Sequence, residues 1–216
     1  MLLEFKTKNY KSFVEEASFS MVAAPKQKGL DYSLMKTKIK GKEIKGLSSS
    51  VIYGPNAAGK TNIIGAMDVL RSIVLRGNIR NSEEKSSPNP AASALELIPN
   101  NNESEAKPVC FEIEFYEEDG EEHKFKIHYE LQIDLGTFLE EEYQRKILAE
   151  VLEVNGERVF ERREGLKVEN LKVIKDYLSD ITEQNAESIN EIAKNSLNQE
   201  ELFLTNGFKL IFSPKF

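Results

Sequence analysis

Alternating apolar and polar positions predict strands in the first quarter of the chain. They run through residues 2–9 and 17–23, around the polar sequence Asn9-Tyr10-Lys11-Ser12. Residues 34–40 carry a lysine at every second position, which in a strand places the lysines on one solvent-exposed face. Residues 49–53 become apolar and run directly into a glycine turn, so we predict a buried strand there.

After this turn the spacing between apolar positions lengthens from that of a strand to that of a helix. Ile63, Met67, Leu70 and Val74 recur at intervals of three and four, which predicts an amphipathic helix over residues 60–76. Residues 77–108 break the pattern with four of the seven prolines. We predict a loop or linker in that stretch.

Strand patterns return in the second half of the chain. Apolar residues alternate through 111–115 and 125–133 on either side of a Glu-Asp-Gly turn, which predicts a hairpin. The pair Asn155-Gly156 suits a type I′ turn and predicts a second hairpin between residues 149–154 and 158–162. Residues 167–198 return to helical spacing. The apolar sequence at 202–216 is unusual for a chain end, so we expect a fragment of something longer.

Composition narrows the class of protein. Of the 216 residues, 40% are apolar and 30% are charged, which is typical of a folded domain. No run approaches the roughly 18 apolar residues of a membrane-spanning helix. The sequence has one cysteine and two histidines, too few for a disulfide framework or a structural zinc site. We therefore expect a cytoplasmic protein with no membrane partner.

The net charge of −7 is unevenly distributed. Residues 1–46 carry +5 and the remaining residues carry −12. A basic first segment suits phosphate ligands, whereas the acidic remainder argues against broad wrapping by nucleic acid.

One motif carries specific chemistry. The sequence between the predicted strand and helix matches G-x-x-x-x-G-K-[ST], the P-loop pattern, with the residues Gly54, Pro55, Asn56, Ala57, Ala58, Gly59, Lys60 and Thr61. Its glycines let the backbone curl so that N–H groups point at phosphate oxygens, and the following helix directs its positive end at the same anion. Lys60 would reach the β- and γ-phosphates, and the Thr61 hydroxyl would ligate Mg²⁺.

The flanks of this loop carry a family resemblance. Residues 54–62, Gly-Pro-Asn-Ala-Ala-Gly-Lys-Thr-Asn, resemble the P-loop of ABC-type ATPases related to SMC, RecF and OLD proteins. Residues 3–13 resemble the opening strand of that group, with its Asn-aromatic-basic-Ser-aromatic sequence. Residues 17–21 resemble the next strand of bacterial AAA15- or AAA21-type ATP-binding proteins, several of which serve in phage defence. The resemblance is specific over residues 1–76 and looser beyond them.

This resemblance implies a fold, ligands and further site residues. The fold is an α/β P-loop NTPase, specifically the first lobe of an ABC-type ATPase with an inserted antiparallel β-rich arm and a helical segment. The ligands are ATP and Mg²⁺, and Asn62, Lys11 and Ser12 join the loop beside the phosphates. In full-length members ATP binds between two heads, which implies a homodimer or a complementary C-terminal half as partner, with DNA as a further partner.

Several elements of ATP hydrolysis are missing from the sequence. It contains no Gly-Gly pair for a signature loop and no apolar run followed by an acidic pair for a Walker B strand. Neither His123 nor His128 matches a switch histidine, and Gln199 is a poor Q-loop candidate. Tyr32 and Phe13 are both candidates to stack on adenine, and the sequence does not choose between them. No catalytic residue is recognisable, so we predict ATP–Mg²⁺ binding with negligible hydrolysis by this chain alone.

The predicted organisation has four parts: a nucleotide-binding lobe at 1–76, a linker at 77–108, a β arm at 109–165 and a truncated helical segment at 166–216. Two other functions stay open. One is a non-hydrolysing nucleotide sensor or interaction module from a split or truncated gene. The other is a different P-loop enzyme such as a small-molecule kinase. A GTPase is excluded, because its motifs Asn-Lys-x-Asp and Asp-x-x-Gly do not occur in the sequence.

Overall fold

A computed structural model describes residues 1–25, 29, 31–39, 41–80, 95–101, 106–118, 123–137, 143–177, 191 and 198–207. The described strands are β1 (Leu2–Lys8), β2 (Ala17–Ser20), β3 (Leu34–Ile39), β4 (Lys42–Leu47), β5 (Val109–Glu118), β6 (Lys124–Asp134), β7 (Lys146–Val154), β8 (Glu157–Arg162) and β9 (Leu166–Val168). The α-helix α1 spans Lys60–Arg76, with 3-10 segments at Asp31–Ser33 and Leu171–Tyr177 and a π-helical turn at Phe203–Gly207.

Seven strands form one sheet in the order β2-β1-β5-β6-β7-β8-β9, and β3 pairs with β4 in a separate hairpin. Every pairing among these strands is antiparallel. The described part of the chain is therefore mostly β, and strands from its start and its second half share one sheet. Short connections account for the β5–β6, β7–β8 and β8–β9 pairings, whereas β1 pairs with β5 across the intervening helix and hairpin.

Most predicted elements are confirmed. The helix predicted over 60–76 is α1, and the two predicted hairpins are β5–β6 and β7–β8. Asn155 and Gly156 have φ values of 55° and 79°, as a type I′ turn requires. The helical pattern predicted at 167–198 is wrong at its start, because β9 pairs with β8 there. A 3-10 segment follows at Leu171–Tyr177, and residue 191 is helical. Residues 178–190 and 192–197 lie outside the described region.

The buried strand predicted at residues 49–53 is wrong. This segment has no strand pairing, and Val51 and Tyr53 are 82% and 89% exposed. A buried strand needs neighbours that satisfy its backbone and cover its side chains. Among the described residues no strand lies beside it, because the sheet begins at β2 and ends at β9.

The core lies between α1 and one face of the sheet. Helix α1 buries the residues Ile63, Ala66, Val69, Leu70 and Ile73. They join one apolar cluster with Phe5 of β1, Phe111 of β5 and Leu131 of β6. The apolar spacing of both elements thus fixes which side of α1 faces the sheet, and with it the direction in which the preceding loop points.

The far end of α1 is fixed by residues 198–207. Gly77 ends the helix in the left-handed region, at φ 73°, and its carbonyl accepts N–H bonds from Leu202 at 2.9 Å and from the Asn206 side chain at 2.9 Å. The Thr205 hydroxyl donates to the carbonyl of Val74 at 2.8 Å. The helix is therefore held at its C-terminus as well as along its buried face.

Candidate functional site

The loop from Gly54 to Gly59 leads directly into α1. Gly59 caps the helix in the left-handed region, with φ 83°, and no side chain caps the first turn. The first N–H groups of a helix have no acceptor within the helix, and together with the macrodipole they attract an anion. The loop residues 54–58 are exposed, so this end of the helix is open to a ligand.

Lys60 folds back over the loop that precedes it. Its ammonium donates to the carbonyl of Gly54 at 2.9 Å and to the carbonyl of Pro55 at 2.6 Å. These bonds curl the loop around the lysine, so the positive charge lies at the mouth of the loop beside the helix N-terminus. Thr61 follows on the exposed side of the first turn.

The turn after β1 packs against this loop. The Asn62 side-chain amide donates to the Ser12 hydroxyl at 2.7 Å. A Cβ placed on Gly59 would lie 3.1 Å from the Ser12 hydroxyl oxygen and 3.1 Å from the Phe13 ring, so the absence of a side chain at Gly59 permits the close approach. Ser12 and Asn62 are thus together at the loop, 50 residues apart in sequence.

Lys11 lies beside the same helix but points away from its N-terminus. Its ammonium contacts the Glu96 carboxylate at 2.5 Å and would lie 4.0 Å from a Cβ placed on Gly65. Burial by itself would lower the pKa of Lys11, but the hydrogen bond and charge of Glu96, with the neighbouring Tyr10, outweigh it and raise that pKa above its usual value. Lys11 is therefore firmly cationic.

Residues 95–101 hold this turn in place, a role for which the sequence carried no periodic signal. Lys11 donates its backbone N–H to the Ile98 carbonyl at 3.0 Å, and its own carbonyl accepts from the Asn100 side chain at 2.5 Å. Lys11 adopts a left-handed backbone, φ 47°, which these bonds stabilise. The predicted linker therefore contains a segment that supports the site.

The other residues considered from the sequence lie elsewhere. Asp134 accepts from the Tyr143 hydroxyl at 2.6 Å and from the Gly136 N–H at 3.0 Å, so it closes the turn after β6. His128 lies on the polar face of the sheet, 3.3 Å from Glu112 and 3.6 Å from Glu153. Gln199 accepts the Ile147 N–H through its backbone carbonyl at 2.8 Å.

The two aromatic candidates for adenine stacking are placed differently. Phe13 lies against Gly59, whereas Tyr32 lies in the 3-10 segment Asp31–Ser33 and is 85% exposed. Of these two candidates, Phe13 is the one that the fold brings to the loop.

The described residues hold neither a metal-binding cluster nor a membrane-spanning helix. They contain no group of three or more His, Cys, Asp or Glu side chains able to hold a metal ion. None of the helices among them has the length and hydropathy needed to cross a membrane.

The geometry at the loop fits a phosphate group with its metal. It offers an uncapped helix N-terminus, a lysine ammonium at the loop mouth and an exposed threonine hydroxyl in the first turn. A hydroxyl at this position is an oxygen ligand of the type that Mg²⁺ prefers. Carboxylates are absent from the first turn of α1, so a bound phosphate meets no like charge there.

A family model agrees with this chemistry. The model described as "AAA domain, putative AbiEii toxin, Type IV TA system" matches residues 49–202, more than two thirds of the chain. The matched region includes the loop, α1 and β5–β9. No curated protein and no solved structure matches the chain.

Proposed function

The chain belongs to the AAA-domain family of P-loop ATPases, and on this premise we propose that it binds ATP with Mg²⁺ in the loop formed by residues 54–61. The observation that carries the proposal is the position of Lys60. Its ammonium lies over the loop, 2.6 Å from the Pro55 carbonyl, next to an uncapped helix N-terminus. Charge and free backbone donors therefore converge where phosphates would bind.

Each site residue has a role in this proposal. Backbone N–H groups of the loop residues after Pro55, which itself has none, would cradle the phosphates, and Lys60 would exchange its carbonyl partners for phosphate oxygens. Thr61 holds Mg²⁺, which would neutralise phosphate charge. Ser12 and Lys11 from the turn after β1 and Asn62 from α1 would complete the phosphate site, and Phe13, which packs against Gly59, would stack on the base.

We further propose that this lobe is part of an ABC-type ATPase similar to SMC, RecF and OLD proteins, related to the AAA15 group and acting in phage defence or on DNA in the cytoplasm. Phosphoryl transfer to water needs a placed acid beside the lysine and the metal. Because Asp134 is engaged in a turn and the sequence has no Walker B run, we expect negligible turnover by this chain alone. A second head, as a homodimer or a complementary half, would supply the rest.

A second candidate is a non-hydrolysing module that a complementary chain completes. The exposure of Val51 and Tyr53 directly before the loop favours it, because apolar side chains at such a position are commonly covered in an assembly. This candidate predicts the same ATP binding but a mass that rises with protein concentration.

The test is calorimetric titration of the full chain with ATP–Mg²⁺, with phosphate release followed on the same sample. Wild type should bind, and Lys60→Ala should abolish binding while leaving the fold intact. Lys45→Ala, on the separate β3–β4 hairpin, is the matched control and should bind like wild type. Failure of the folded wild type to bind ATP–Mg²⁺ would overturn the proposal. Phosphate release would contradict the absence of a catalytic acid, and transfer of the phosphate to an added acceptor would support the kinase alternative.

A further inference from the structure

The ammonium of Lys11 is paired with a carboxylate instead of lying at the phosphate site. Its contact is the Glu96 Oε2, at 2.5 Å, and it lies beside Gly65 on the second turn of α1. From Gly59 to Gly65 the helix rises about 9 Å, at 1.5 Å per residue. The next residue, Ser12, is already at the loop. The Lys11 backbone is therefore close to the phosphate site, while its charge is directed along the helix away from it.

The ion pair is not needed to hold the two segments together. The turn at residues 9–13 and residues 95–101 are already joined through backbone and amide groups: Lys11 N–H to the Ile98 carbonyl at 3.0 Å, Asn100 N–H to the Asn9 carbonyl at 3.2 Å and the Asn100 side chain to the Lys11 carbonyl at 2.5 Å. These bonds would persist if the charged side chains separated. The contact between Lys11 and Glu96 can therefore exchange without loss of the local fold.

The electrostatics of the helix favour such an exchange. Without an anion at the loop, the positive N-terminus of α1 repels a lysine ammonium, and the Glu96 carboxylate is the better partner. Polyphosphate at the same place reverses the sign of the field. The Glu96 side chain is 72% exposed, so its carboxylate is readily solvated once Lys11 leaves, and the four-carbon stem of Lys11 can swing while its backbone stays fixed.

We propose that Glu96 is a positioning residue that holds Lys11 in a resting state and competes with the phosphates of ATP for its ammonium. The proposal rests on the proposed ATP site, and it assigns a role to the segment at residues 95–101. Occupation of the loop by ATP would release Glu96 from its ion pair, so the pairing of this segment would report on the nucleotide.

The test is a double-mutant cycle in ATP–Mg²⁺ affinity, measured by calorimetry on the full chain. Glu96→Gln should tighten binding about two- to fivefold, the range expected from a lysine–carboxylate pair whose carboxylate is exposed. Lys11→Met should weaken it about tenfold, as loss of a charge-assisted bond to phosphate would. In the Lys11→Met background, Glu96→Gln should have no effect.

A matched control separates this coupling from the general effect of removing a negative charge. Glu43 contacts Lys45 at 3.0 Å on the exposed β3–β4 hairpin, so Glu43→Gln removes the same charge from the same kind of pair away from the loop. It should leave ATP affinity unchanged. Thermal melts of Glu96→Gln and Glu43→Gln should coincide with wild type, because both carboxylates are exposed.

The proposal is overturned if Glu96→Gln leaves ATP affinity unchanged or weakens it. It is also overturned if the tightening persists in the Lys11→Met background. Either result is distinct from failure of the proposed function, in which wild type and Lys60→Ala alike would bind no ATP.

Discussion

The Asn62 side chain donates a 2.7 Å hydrogen bond to the Ser12 hydroxyl, and this contact joins the first turn of α1 to the turn after β1. Asn62 is the third residue of the helix, and Ser12 is packed against the cap residue Gly59. The loop that precedes α1 is therefore supported from one side by a turn whose position is set by the sheet.

Replacing Asn62 with Asp should separate helix stability from ligand binding. A carboxylate in the first turn is favourable to the helix by about 0.3–1 kcal/mol, so thermal stability should hold or rise slightly. The same charge repels phosphates, and ATP affinity should fall about tenfold at low salt. Asn62→Ala is the companion variant, which loses the hydrogen bond without adding charge. If calorimetry shows that Asn62→Asp binds ATP as tightly as wild type, the placement of phosphates at this turn is contradicted.

Gly59→Ala should abolish ATP binding, because its Cβ would press on Ser12 and Phe13 at 3.1 Å. The control is Gly156→Ala in the β7–β8 turn, where φ is 79° and nothing lies within 4 Å of a new Cβ. Both variants bear the left-handed backbone cost of about 1–2 kcal/mol. Gly59→Ala must also relieve its 3.1 Å contacts, so it should lose somewhat more stability in urea than Gly156→Ala. Loss of binding in Gly156→Ala as well would show that stability, not the loop, governs the result.

Glu150→Gln should destabilise the protein by about 3 kcal/mol. The Glu150 carboxylate is fully buried and accepts the N–H groups of Phe203 at 2.8 Å and Leu204 at 2.8 Å, along with the Tyr129 hydroxyl at 3.0 Å. An amide nitrogen cannot accept these bonds, so at least one buried donor is left unsatisfied. Glu118→Gln is the control, since Glu118 also accepts a tyrosine hydroxyl, at 2.8 Å, but is exposed. If Glu150→Gln and Glu118→Gln shift the urea midpoint equally, burial of the Glu150 carboxylate does not account for its contribution to stability.

The same carboxyl should give stability a characteristic pH dependence. Burial raises the pKa of Glu150 above 4.5, although its backbone N–H donors and Arg162 oppose the shift. Between 4.5 and that higher native pKa, the folded protein binds a proton that the unfolded chain has released. The contribution of Glu150 to the free energy of unfolding is therefore greatest below this window and falls as pH rises through it. The free energy of unfolding of wild type minus that of Glu150→Leu, measured in urea at a series of pH values, should decline across the window. A rise in this difference would mean that the native pKa of Glu150 is lowered instead.

Much of the local structure follows from residue spacing. Helix α1 was predicted because Ile63, Met67, Leu70 and Val74 recur on one side, and the Asn155-Gly156 pair defined the β7–β8 turn because both residues tolerate positive φ. The loop motif was likewise visible, since its glycines and lysine stand at fixed spacing. These features depend on residues that lie within a few positions of one another, so they can be predicted from the sequence.

Tertiary structure decided what lies around the loop. The ion pair of Lys11 with Glu96 spans 85 residues and the bond of Ser12 with Asn62 spans 50, so no periodicity predicts either contact. The apolar residues 49–53 predicted a buried strand, yet Val51 and Tyr53 are exposed because burial depends on whether other strands lie alongside. The helix, the hairpins and the P-loop motif follow from local sterics and periodicity, which act between residues close together in the chain. The partners of that loop were decided by the packing of α1 on the sheet, which brings distant residues together.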